Sequence, residues 1–84
     1  MRVRYARTQT QAARLGIIVP KKGNRLAVRR NRIKRMIRNE FRLIRHRLSP
    51  MDIIVHVTGP IDDADLLMRL RQDLATLVIG KGHD

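Results

Sequence analysis

The sequence predicts an α+β fold, a two-layer α/β sandwich in the order β-β-α-β-α, and three observations carry that expectation. Residues 27–48 place Ile33, Ile37, Phe41, Ile44 and Leu48 at intervals of four, four, three and four, which is one apolar stripe on a helix. Two short stretches ahead of it, at residues 2–7 and 14–19, read as strands. After it come a β-branched run, Ile53-Ile54-Val55-His56-Val57, and a Leu-rich segment of helical spacing. Eighty-four residues with no internal repeat and no long linker make one domain spanning 1–84.

Taken in order, Arg2-Val3-Arg4-Tyr5-Ala6-Arg7 alternates charged and apolar residues, which puts Val3 and Tyr5 on one face of a half-buried strand. Residues 8–13 are polar and turn-like. Arg14-Leu15-Gly16-Ile17-Ile18-Val19 is expected to form a second strand, paired with the first as a hairpin and stopped by Pro20. Gly23-Asn24 supplies a turn ahead of the helix, and Ser49-Pro50 ends it. The third strand, 52–57, is so apolar that burial on both faces is expected. Gly59-Pro60 breaks it. Asp62 or Asp63 then caps a last helix, which turns Leu67, Leu70, Leu74, Leu77 and Val78 inward. Gly80, Lys81 and Gly82 read as a frayed tail.

Charge says most about function. The net charge is +12, from 19 Lys and Arg, fifteen of them Arg, against 7 acids. Residues 1–51 hold sixteen of these cations and only Glu40 as an acid, so the first part carries +15 and the remainder −3. Twelve of the cations fall within 21–47, where Arg30, Arg32, Lys34, Arg35, Arg38, Arg42 and Arg45 take the helix surface left by the apolar stripe. A solvated face alone is a poor explanation for so many like charges. A polyphosphate is the anion they fit, and the Arg bias favours bidentate phosphate contact.

Enzyme chemistry is not written in the chain. The acids sit mainly in the last third and suit helix capping, with no paired-carboxylate arrangement. His46, His56 and His83 lack metal-site spacing: His46 reads as a solvated helix residue and His56 as a strand residue near the surface. Ser49 has no base within reach by sequence. There is no cysteine, no run of the length a membrane span needs and no secretory signal at the start, so a cytoplasmic protein is expected. No small-molecule substrate is indicated. A membrane-surface helix is the competing use of a basic amphipathic segment, but here the apolar stripe is needed for the core.

The order of residues within the basic segment is more specific than its composition. Lys21-Lys22, then Ala27-Val28, Arg30-Asn31-Arg32, Lys34-Arg35 and Arg38 resemble the RNR signature of the bacterial ribonuclease P protein component. Arg14-Leu15-Gly16 before it and Met51-Asp52-Ile53 after it match that family's layout as well. Arg38 is followed by Asn39, where the family usually has Glu. The resemblance implies a left-handed βαβ crossover between residues 15 and 57, as in folds like domain 2 of ribosomal protein S5. The general rule for such units is right-handed.

It also implies a protein subunit rather than a catalyst. In that family an RNA subunit cleaves precursor tRNA at its 5′ side, with Mg2+ held by the RNA and substrate and not by a protein site. Ribonuclease P RNA and precursor tRNA are therefore the expected partners. On matched positions, Lys21, Lys22, Arg25, Arg29, Arg30, Asn31, Arg32, Lys34, Arg35, Arg38 and Arg42 would contact RNA. Tyr5 falls in the cleft for the 5′ leader, where it could stack on an unpaired base or simply pack. Asn31 could likewise be only a polar spacer. Family members begin with a further helix and strand ahead of the segment like 3–7, so a three-stranded sheet with an uncovered edge or face near Tyr5 is expected. A ribosomal or other structural RNA-binding protein is the alternative.

Overall fold

The structure, a computed structural model, describes residues 1–9 and 12–78. Strands β1 (Arg2–Arg7) and β2 (Arg14–Ile18) precede helix α1 (Ala27–Ile44) and a 3-10 turn (Arg45–Arg47); strand β3 (Met51–His56) and helix α2 (Asp63–Ala75) follow. The order is β-β-α-β-α, and the fold is α+β with one three-stranded sheet and two helices. The expected tail at Gly80 to Gly82, together with His83, lies outside the described residues, as do 10 and 11 of the first turn.

Strand pairing departs from the hairpin expected of β1 and β2. The sheet order is β1-β3-β2, with β3 antiparallel to β1 and parallel to β2. Helix α1 supplies the crossover that a parallel pair needs, and it returns the chain between the first two strands. Nearness in sequence favoured a hairpin; the apolar face of β3, which needs a partner on each side, favours the centre of the sheet.

Burial on both faces of β3 is also corrected. Met51, Ile53, Val55 and the following Val57 are buried, whereas Ile54 is 43% exposed, so the strand alternates. The registers Arg4↔Ile54 and Gly16↔Ile54 set the exposed positions of all three strands on one open face. On the other face, α1 inserts Ile33, Ile37 and Phe41, and α2 inserts Leu66, Leu70 and Leu74, into one cluster with the strand residues. Seven of its side chains are fully buried, each worth roughly 1.5–3 kcal/mol against exposure.

Helix ends differ from expectation in small ways with plain causes. α1 stops at Ile44 and tightens into the 3-10 turn, with Leu48 extended ahead of Ser49-Pro50. In α2 it is Leu66, not Leu67, that is fully buried, because four-residue steps back from Leu74 and Leu70 reach Leu66; Leu67, Leu77 and Val78 are half-buried. Asp62 caps α2 as expected, its Oδ1 accepting from the Asp65 backbone N–H at 2.8 Å.

Candidate nucleic-acid interface

The basic helix is held at both ends of its first turns by neutral and acidic partners, and this decides which arginines are free. The turn before α1 is anchored first. Gly23 has φ +89°, and a Cβ there would stand 3.0 Å from Pro60 Cδ and 3.1 Å from Gly59 Cα, so the 21–25 loop lies tight against the 59–60 loop. Buried Asn24 donates its side-chain N–H to the Gly59 carbonyl at 3.2 Å. Arg30 turns back and donates to the carbonyls of Asn24 and Arg25, at 3.0 and 2.8 Å, which ties the first turns of α1 to the loop before it.

Asp63, in the first turn of α2, then takes two arginines at once. Arg29 donates to its Oδ1 and also to the Ile61 carbonyl, while Arg32 donates to its Oδ2 through Nε at 2.9 Å. The two guanidinium groups hold the Asp63 carboxyl below the usual carboxylate range, hydrogen bonding to Arg29 being the larger cause. On the next turns, Glu40 accepts from Arg71 at 2.6 Å, a second tie between α1 and α2. On the open sheet face, Arg14 forms a bidentate pair with Asp52 at 2.8 and 3.0 Å.

The sequence-predicted contact residues therefore fall into two groups. Arg29, Arg30 and Arg32 are committed within the fold, with Arg29 and Arg30 half-buried. Asn31, Arg35, Arg38 and Arg42 are exposed and recur at four, three and four residues, a continuous basic stripe on the face of α1 turned away from the core. Lys34 lies half-buried at its flank; Lys21, Lys22 and Arg25 are exposed on the anchored loop. Sequence reading put Arg30 and Arg32 on the same outer surface as Arg35, Arg38, Arg42 and Arg45. It missed Asp63 as their partner, since a carboxylate 31 residues away leaves no local signal.

Tyr5 sits elsewhere. Its register opposite Ile53 puts it on the helix-bearing side of the sheet, yet it is 57% exposed because β1 is an edge strand beyond the helices. Val3 on the same side is half-buried. The outer edge of β1 is unpaired among the described residues, in line with the uncovered edge expected near Tyr5.

Among known proteins, the family described as Ribonuclease P matches residues 1–79. The chain belongs to the ribonuclease P family. Relatives named ribonuclease P protein component agree with this placement. The one from Nitrosomonas eutropha is 44% identical over 66 residues, covering 79% of this chain and 54% of the relative. That of Halorhodospira halophila is 42% identical over 64 residues, 76% of this chain and 52% of its own. That of Cronobacter sakazakii is 48% identical over 52 residues, covering 62% and 44% respectively. The chain spans about half the length of the curated relatives it matches.

In this ribonuclease P family member the Asp63 clamp has a testable pH signature. A carboxyl whose folded pKa is depressed contributes stability that is present above the unfolded value, about pH 4, and is lost as pH falls through the folded one. Asp63→Asn is expected to melt below the unchanged chain at neutral pH, with the gap narrowing steadily below about pH 4. Thermal melts across that range check this; a constant gap would mean the pair with Arg29 and Arg32 does not stabilise the fold.

Proposed function

We propose that this chain is the RNA-binding part of a ribonuclease P protein component, which supports 5′ maturation of tRNA by a catalytic RNA. The observation that carries the reading is the stripe of Asn31, Arg35, Arg38 and Arg42 on a helix fixed at its start by Asn24 and Asp63. An isolated helix of this charge would repel itself; one docked on a core presents cations at set spacing, as a phosphate backbone requires. On this reading ribonuclease P RNA and precursor tRNA are the partners, in the cytoplasm, and membership of the family supports it. No helix among the described residues is long and apolar enough to cross a membrane.

On this reading the chemistry belongs to the RNA. Among the described residues no three potential metal-ligating side chains gather, and Glu40, Asp52 and Asp63 are each engaged by arginine. On this reading Mg2+ would be held by RNA and substrate. The β2-α1-β3 unit would take the left-handed crossover of folds like ribosomal protein S5 domain 2. Tyr5, exposed on the helix side of β1, would stack on a base of the 5′ leader, a contact worth roughly 1–3 kcal/mol.

Reconstitution with a bacterial ribonuclease P RNA and a precursor tRNA tests the proposal. The protein alone is expected to cleave nothing, and at low magnesium it should raise cleavage by the RNA. Tyr5→Ala should weaken the preference for a precursor with a long leader over one with a very short leader. Efficient cleavage by RNA-free protein, or no stimulation at any magnesium concentration, would overturn the assignment.

A further inference from the structure

One edge of the sheet plays no part in the RNA-binding reading. β2 is an outer strand in the order β1-β3-β2, and no described strand pairs with its far side. Its inner side is fixed by the Ile18 carbonyl, which accepts from the Val57 backbone N–H at 2.9 Å as the chain leaves β3. Backbone groups alternate in direction along a strand. Arg14, Gly16 and Ile18 therefore turn theirs to β3, while Leu15 and Ile17 turn theirs outward.

The two edges of the sheet differ in charge. β1 carries Arg2, Arg4 and Arg7, and charges along an edge keep other chains from pairing with it. β2 reads Arg14-Leu15-Gly16-Ile17-Ile18, and its one charge is already matched by the bidentate contact of Arg14 with Asp52. Leu15 and Ile17 are half-buried on the helix side, and Ile18 is exposed on the open face. Nothing in the chain itself requires glycine at the middle of this strand. A Cβ on Gly16 would meet Ile54 Cγ1 at 3.7 Å and the Ile53 carbonyl at 3.9 Å, which is ordinary contact.

We propose that β2 pairs antiparallel with β2 of a second copy of this chain, about a two-fold axis that passes through Gly16 normal to the sheet. Such an axis keeps every residue on its own face and joins two three-stranded sheets into one of six strands. Leu15 then lies opposite Ile17 of the second copy, and Ile17 opposite its Leu15. Each of these pairs exchanges two backbone hydrogen bonds, and its apolar side chains meet on the helix side. Arg14 falls opposite Ile18 of the second copy, so no like charges face and the aliphatic stem of the arginine covers an exposed isoleucine. Gly16 faces itself at the closely spaced pair and sets neither charge nor bulk against its copy. Pro20, which lacks an N–H, ends the ladder beyond Val19. Each chain carries +12, so repulsion opposes this contact and salt relieves it. Pairing of copies through a shared RNA has the opposite dependence, because salt loosens phosphate contacts.

The test uses the whole chain, free of RNA, in sedimentation equilibrium over a range of concentration and salt. A reversible monomer–dimer equilibrium is expected, shifting toward dimer between about 0.1 and 1 M salt as the screening length falls from about 10 to 3 Å. Gly16→Lys and Gly16→Glu each set like charges against themselves on the axis, and each should weaken dimerisation about fivefold. An equimolar mixture of the two variants should recover it, because lysine then faces glutamate; a folding defect would not be mended by mixing. The chain has no cysteine, so Gly16→Cys supplies a single thiol, which should oxidise to a linked dimer much faster than that of Arg4→Cys on the charged edge. A monomer under all conditions, no gain on mixing, or equal cross-linking at positions 16 and 4 would each overturn the proposal. RNA enters none of these measurements, so their failure leaves the subunit assignment where reconstitution puts it.

Discussion

Ile37→Asp is expected to abolish the cooperative melt of this domain and, with it, all specific RNA binding. Ile37 is fully buried at the middle of the α1 stripe, between Ile33 and Phe41, in the cluster that joins both helices to the sheet. An aspartate there must either strand a carboxylate in the core, at a cost of several kcal/mol, or bury a protonated acid with no partner. A domain of this size has on the order of 5–10 kcal/mol of stability to lose. Even Ile37→Ala should cost about 2–5 kcal/mol through lost burial and the cavity left behind. Arg35→Ala, two residues away on the outer face, should stay within about 0.5 kcal/mol of the unchanged chain. Far-UV circular dichroism with thermal melts separates these cases. A cooperative transition for Ile37→Asp within a few degrees of the original would contradict the packing described for α1.

What could be read from sequence divides by the range of the physics involved. The α1 stripe was legible because 3.6-residue periodicity is local, and Ile33, Ile37 and Phe41 are the residues buried. The Asp62 cap was legible for the same reason, since its partner is three residues on. Strand order was not. A hairpin between β1 and β2 is the nearer choice in sequence, but nothing in either strand states that β3 will part them. Ile54 was misjudged because an apolar side chain in a β-branched run looks buried; among the described residues no layer covers that sheet face, and Ile54 is exposed. In the site, residue order gathered the candidate contacts Lys21 to Arg42 on one segment. Asp63, Asn24 and Gly59, which decide how that segment is held, act across more than thirty residues and carry no pattern of their own.

Loss of Arg35 and Arg38 should weaken binding to ribonuclease P RNA far more than loss of Arg32, although all three stand in the RNR segment. Each free arginine that neutralises a phosphate releases counterions and contributes roughly 0.7–0.9 to the salt slope. Arg35 and Arg38 are exposed and unpaired among the described ion pairs, so Arg35→Ala with Arg38→Ala should lower the slope by nearly two contacts. Arg32 is different, because its guanidinium already faces Asp63 at 2.7 Å and a phosphate must compete with that carboxylate. Arg32→Ala should therefore change the slope by much less than one contact in the unchanged chain. Removing the competitor restores the difference: in an Asp63→Asn background, Arg32→Ala should cost close to a full contact. The four proteins form a double-mutant cycle whose coupling measures the competition directly. Zero coupling, with Arg32→Ala as damaging as Arg35→Ala in both backgrounds, would show that Arg32 leaves Asp63 without cost and that the clamp does not tune the RNA face.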